Sequence, residues 1–587
     1  MGNELDRRPP RLKLTVRIGV TGHLFQELED DPKLSSSIKQ VLQAVQDLAT
    51  LMARRSDFAF LEKAECRFLS PLAEGADRAG AKVALDLNLP MDCLLPFRED
   101  IYIRSFKGGI RSVAEFTRLK KLSVNCLELD GGEDHEDARA FSILAEALVA
   151  NSDLLLAVWD GEKGKAGGTQ DVVSRALAAE VPVIWFAPDS QDEPRLLEAL
   201  EPQVQTHRGN LILALENRFS RQFAFDTDEE DSTGWWDRVL ACLGKSGSEQ
   251  ARAKEFFDES LRSSEETASA MPTSDWCKLL CRLSDYGKRH RAITESFQPP
   301  FEWADYLAGF YSRRYQQSFK ASYLLGAAAV FMAFLSYFSP TKEWPYHVTT
   351  WAELALIGFI LLLTISGGVF RWHERWLEYR WLAEVLRQRH FLAPVPWKRT
   401  LFRASAHLGP ISSGRRWSAV YLACLLRQAP LPSGRVDGTY LKYCRATILA
   451  FMETQETYHK DRAKAQKKRA HRYHSAGLAL FAGAVAGCIW HLIGVGYEFV
   501  SGFMVIVLPA FASAIGAILH HSELEQQVKH SEALAGWLKV AGGDLSRDSS
   551  PGREVIEANA ARLSEAMMDE LVDWRDAFLD KPVPSGH

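Results

Sequence analysis

Over the first 190 residues, short and nearly continuous apolar runs alternate with helical segments. The runs at 14–20, 67–70, 93–96, 126–129, 154–159 and 181–186 read as strands. Strands that lack polar alternation are covered on both faces, and helices between them predict a parallel sheet. The fold class expected here is therefore an α/β, Rossmann-like, doubly wound parallel sheet. Further along, the pattern changes. Four runs hold no Asp, Glu, Lys or Arg: 21 residues between Lys320 and Lys342, 17 between Glu353 and Arg371, 25 between Arg472 and Glu498, and 21 at 499–519. A helix needs about 20 apolar residues to cross the hydrocarbon core, with about 17 tolerated. The second part of the chain thus predicts an all-α membrane region with four transmembrane helices, arranged as two hairpins.

The flanks set an orientation. Arg313, Arg314 and Lys320 precede the first run, Arg371, Arg375 and Arg380 follow the second, and 460–472 carries seven Lys or Arg against one Asp. The connectors at about 339–353 and 496–499 carry a single Lys. Basic residues favour the cytoplasmic side, so the expectation is a multi-pass protein of the inner or plasma membrane with both termini in the cytoplasm. The lipid bilayer is one partner, and the basic run before the third span should attract anionic headgroups. The hairpins echo each other at an offset of about 150 residues: a basic aromatic approach, two spans, then a charged exit helix (HERWLEYRWLAEVL and HHSELEQQVKHSEAL). In the second pair, Gly483-x-x-x-Gly487 and Ala512-x-x-x-Gly516 allow close helix contact. Spans without charged residues argue against an ion-coupled transporter and, for any pore, imply a homo-oligomer.

Composition narrows the class only slightly. The 587 residues are 47% hydrophobic and 25% charged, which excludes a disordered or low-complexity chain. A formal charge of −5, from 70 basic and 75 acidic residues, gives no reason to expect nucleic-acid binding. The mean hydropathy of −0.16 averages over the apolar runs and hides them. Nine scattered cysteines form no Cys-x-x-Cys pair, and Cys277 and Cys281 have no nearby ligands, so reduced thiols and no metal site are expected. The N-terminus lacks the apolar stretch of a signal peptide, and Asp6 replaces the Ser or Thr of a myristoylation signal.

On such sheets, ligands bind at the carboxyl ends of the strands. Three turns there carry candidate chemistry. The first is Gly19-Val20-Thr21-Gly22-His23, where backbone amides can face a phosphate or ribose. The second runs from Ser70 through Glu74, Gly75, Asp77 and Arg78 into a helix. The third holds Asp160 and Gly161, then Gly167, Gly168 and Thr169, with Thr169 placed to cap a helix N-terminus that attracts anions. The expected ligand is a nucleotide or nucleotide derivative. Glu74, Asp77 and Asp160 are the acids available as a general base; helix capping for Asp77 and a turn role for Asp160 are the plainer readings. No catalytic residue is assigned.

The series IGVTGH, SPLAEGADRAGAKVAL, LPF, NSDLLLAVWDG and GGTQDVV resembles the SLOG superfamily, which contains the Lonely Guy hydrolases and the DNA-processing protein DprA. SPLAEGAD is similar to the Ser-Gly-x-Ala-x-Gly-x-Asp turn of the DprA branch. GGT is similar to the Gly-Gly-x-Gly-Thr-x-x-Glu motif of the hydrolases, although Val172 stands where they place the catalytic Glu and Asp171 is one position early. The resemblance implies a nucleotide pocket more than hydrolysis. Trp376, Tyr379, Arg380, Ala383 and Glu384 resemble the SLATT (SLOG-associating two-transmembrane) effectors of bacterial conflict systems. This implies a sensor at 1–190, a linker at 191–312, a first hairpin at 313–390, an irregular connector and long helix at 391–472, a second hairpin at 473–540 and a helical tail at 541–587. It further implies a pore-forming or membrane-perturbing effector gated by a nucleotide-derived signal. The alternative is a membrane-anchored nucleotide-processing enzyme, of N-glycosidase or phosphoribohydrolase type.

Overall fold

The computed structural model describes residues 11–55, 60–162, 164–188, 193–197, 211–222, 287–338, 344–396, 417–494 and 497–579. Cys277 and Cys281 lie outside them. The sheet begins with β1 (Leu12–Gly22), helix α1 (Pro32–Arg55), β2 (Leu61–Ser70), α2 (Ala76–Asp86) and β3 (Met91–Leu95). It continues through α3 (Gly109–Leu122), β4 (Asn125–Glu128), α4 (Ala138–Ala150), β5 (Leu154–Val158), α5 (Thr169–Ala178), β6 (Val183–Phe186) and β7 (Arg195–Leu197), which α6 (Leu211–Gln222) follows. The strand order is β7-β6-β5-β1-β2-β3-β4-β8, and every neighbouring pair is parallel except β6 with β7. This is the Rossmann-like arrangement that apolar strands alternating with helices require. Both sheet faces are buried: Leu14, Val16, Ile18 and Val20 point into one layer, and Leu155 and Ala157 into the other.

The eighth strand comes from far along the chain. After α7 (Gly287–Tyr337), α8 (Trp344–Val369) and α9 (Trp372–Leu392), the chain forms α10 (Trp417–Gln428) and then β8 (Gly434–Arg435). Strand β8 pairs with β4, and the Val436 amide donates to the Glu128 carbonyl. The expectation of an irregular connector at 391–437 is corrected for its described part. Helix α10 is apolar along most of its length, and Val420, Tyr421, Cys424 and Leu425 are buried in the layer that also holds β1. Polar contacts fix the docking: Arg17 on β1 donates to the Arg427 carbonyl at 2.9 Å, and Arg427 pairs with Asp153 at 2.8 Å.

Among the described residues, four helices are long and apolar enough to cross a membrane: α7, α8, α11 (Gly438–Ile493) and the helix that starts at Glu498. The fourth passes through a π-turn at Phe503–Val507 into α12 (Leu508–His521). Pro509, with no amide to donate, accounts for that irregularity. The spans expose large apolar side chains, including Trp351, Leu361, Leu478 and Leu492. Such a surface on a soluble protein would aggregate; in a bilayer it faces lipid. Span contacts use aromatic and small residues. Phe334 meets Phe499 and Phe503 across the two hairpins, and a Cβ on Gly487 would lie 2.3 Å from the Met504 Cβ. The expected close approach thus holds for Gly483 and Gly487, whereas Gly516 has nothing within 4 Å of its Cβ position and takes no part.

Each hairpin leaves the spans through one residue with left-handed backbone, Arg371 (φ 48°) before α9 and Glu523 (φ 46°) before α13 (Leu524–Arg547). Helix α14 (Arg553–Leu579) closes the chain. Helix α9 is buried nearly all round, although it is rich in charge. Arg380 and Arg387 both pair with Glu384, Arg387 reaches Asp305 at 3.1 Å, and the Arg375 guanidinium donates to the Tyr311 hydroxyl at 2.8 Å. Glu384, Arg380, Arg387 and Arg375 survive burial because each has one of these partners.

Candidate functional site

The chain runs outward from β1 to β4, then crosses back to β5 on the other side of β1. The crevice between the carboxyl ends of β1 and β5 is the topological switch point, where open parallel sheets bind ligands. The turns singled out in the sequence follow β5, β1 and β2, which are adjacent strands, so the fold brings all three together.

At the switch point, the Asp160 amide donates to His23 Nε2 at 3.1 Å, and the Asp160 carboxylate lies 3.2 Å from the same nitrogen. Neutral imidazole accepts from the amide; protonated imidazole donates to the carboxylate instead. Both side chains are accessible, His23 at 22% and Asp160 at 37%. Thr21 is buried on β1, and Gly19 lies opposite Leu69 and Leu155, against Ser152. Gly22 is needed for close packing, because a Cβ there would lie 2.4 Å from that of Ala76. Gly75, at φ +86°, brings the β2 turn under the β1 turn, with its Cβ position 2.4 Å from the His23 carbonyl oxygen.

The β2 turn is tied inward. Ser70 Oγ accepts from the Leu72 amide and donates to the Asp77 carbonyl. Glu74 accepts from the Lys107 and Gly108 amides, both at 2.8 Å, and from Ser112 and Gln26, so its carboxylate anchors the start of α3. Burial alone would raise its pKa, but these hydrogen bonds outweigh it and hold the group below the usual carboxylate range. Arg78 is fully buried; it donates to the Leu72 and Ser112 carbonyls, pairs with Glu29 at 3.3 Å and lies over the Phe106 ring. Asp77 differs. Burial pushes its carboxyl up to about 8, and Oδ1 has no hydrogen-bond partner among the described residues. The buried Tyr102 hydroxyl, also without a hydrogen-bond partner among the described residues, feels the Asp77 charge.

In the third turn, Gly161 and Gly167 adopt positive φ. Gly168, not Thr169, is the N-cap of α5, and Thr169 is its first helical residue. Asp171 accepts from the Gly167 amide and pairs with Arg175, which fastens the loop and places negative charge in the first turn. Sequence reasoning passed over Leu24 and Phe25, which are 61% and 58% exposed beside His23. Two large apolar residues directly after a strand-end glycine turn were the available signal.

Residues 303–392 match the family model described as "Protein of unknown function (DUF4231)". The match runs from α7 through α8 to the end of α9 and includes the Trp376–Glu384 motif. In that motif Trp376 stacks on Tyr315, Tyr379 stacks on Tyr311, and Ala383 is fully buried. No curated protein and no solved structure matches the chain.

Proposed function

We propose that this chain is an integral membrane protein whose Rossmann-like unit binds a nucleotide-derived ligand at the β1/β5 crevice and thereby controls its helical hairpins. In this reading it is a SLOG-like sensor joined to SLATT-like units that assemble into an oligomer and permeabilise or perturb the membrane, with the soluble parts in the cytoplasm. The observation that carries the reading is the open His23–Asp160 pair at the switch point. Leu24 with Phe25 offer an apolar platform for a base. The layer buried against β1 continues through α10 and α9 to α7, so a ligand that favours one packing of the strand ends also biases the hairpins.

The test uses the full chain in lipid nanodiscs and a panel of nucleotides, read by calorimetry and chromatography. Binding without turnover, weakened at least tenfold by His23→Ala, is expected. Dye release from proteoliposomes should then depend on the bound nucleotide. An absence of both binding and leakage would overturn the proposal. One feature favours a second reading, a membrane-anchored nucleotide-processing enzyme: burial beneath the β2 turn pushes the Asp77 carboxyl up to about 8. Release of free base from a nucleotide, abolished by Asp77→Asn, would establish it.

A further inference from the structure

A cavity of about 1130 Å³ lies away from the strand ends, where the basic-flanked ends of both hairpins meet. Helices α7, α9 and α11 line it, with contributions from α13 and α14. Its wall is strongly basic: Arg313 and Lys320 come from α7, Arg380 from α9, and Arg462, Arg469 and Arg472 from α11. Two carboxylates, Asp305 and Asp461, also face it. Asp305 is engaged by Arg387, Arg380 by Glu384, and Arg462 reaches Glu570 at 3.7 Å. Among the described residues, Arg313, Lys320, Arg469 and Arg472 have no carboxylate within ion-pair distance. Four cations around one cavity repel one another unless an anion is supplied.

Position identifies the chemistry. Lys320 is the last charged residue before the first span and Arg472 the last before the third, so the cavity sits at the depth of lipid headgroups. Phe319, Trp574 and Phe578 add apolar walls beside the cations. Guanidinium groups grip phosphate oxygens two at a time. We infer that this cavity is a binding site for a phosphate-bearing anion, with the headgroup of an anionic phospholipid as the favoured occupant. The anion bridges α7 of the first hairpin to α11 of the second and so fastens one to the other. The inference is independent of the strand-end ligand.

The experiment uses the full chain, delipidated and returned to nanodiscs of phosphatidylcholine with or without phosphatidylglycerol, with retained lipid counted by native mass spectrometry. Retention of phosphatidylglycerol is expected. Arg469→Gln with Arg472→Gln should weaken it on the order of twentyfold, and Arg313→Gln alone about fivefold. Lys464→Gln with Lys468→Gln removes the same charge from α11 outside the cavity and should leave retention nearly unchanged. If inorganic pyrophosphate raises the thermal midpoint in pure phosphatidylcholine, and the cavity variants abolish that rise, the site stands with a soluble phosphate as its occupant. Equal losses in the cavity and control variants, or no binding of either anion, would overturn it.

Discussion

The carboxyl of Asp77 is held beneath the β2 turn, one oxygen hydrogen-bonded to the Ala73 amide and the other without a partner among the described residues. Its pKa of about 8 means that the folded chain keeps a proton which the unfolded chain, titrating near pH 3.9, has released. Stability from this group is therefore fully present below about pH 4 and is lost as the pH rises toward 8. A few kcal/mol is the order of the effect. The thermal midpoint of the native chain should fall between pH 5 and pH 8, and Asp77→Asn should flatten that slope; equal slopes in both proteins would refute the assignment. The turn glycines Gly22 and Gly75 were legible because only small residues suit close backbone crossings. The partners of Glu74 were not. Lys107, Gly108 and Ser112 stand more than thirty positions away, and nothing in the local pattern distinguishes an acid that anchors a distant helix start from one facing a ligand.

Helices were legible in proportion to how plainly their solvent marked them. The four spans stood out because hydrocarbon tolerates no charge, and they appear as four long helices. Helix α9 reads in the sequence as a charged exit helix, and Arg and Glu ordinarily face water, yet both of its faces are covered. Pairing of Glu384 with Arg380 and Arg387 within α9 removes the need for water, while the cover comes from α7 and α14, which the sequence of α9 does not contain. The small-residue pairs of the second hairpin show a similar limit: spacing reveals a smooth stripe without revealing which stripe is used. Gly487→Leu should force α11 away from Met504 and lower stability by about 1–3 kcal/mol. Gly516→Leu, with open space around it, should not. Thermal unfolding of the two variants in detergent compares them directly, and equal stability would contradict the observed contact.

At the scale of the molecule, soluble and membrane parts share their interior. One buried layer contains strand residues of β1 and β5 together with Trp303, Tyr379 and Tyr421 from α7, α9 and α10; the other includes Leu155, Phe451 and Leu563. The sequence divided these parts because hydropathy separates them along the chain, but hydropathy does not register that α10 and β8 return to the sheet. A fragment of residues 1–222 lacks those covers and should be recovered as aggregate or as a dye-binding, loosely packed species. Co-expression with residues 223–587 should restore a soluble complex in detergent, and a monodisperse, cooperatively unfolding fragment would disprove the shared interior. The placement of β8 also bears on how the molecule is made. A ribosome completes β1 to β7 while β4 is still an unpaired edge, and it must deliver α7 and α8 to the insertion machinery before α10 and β8 are translated. The last strand of the sheet thus becomes available only after the first hairpin has been offered to the bilayer, which makes membrane insertion a timing step in the maturation of the parallel sheet.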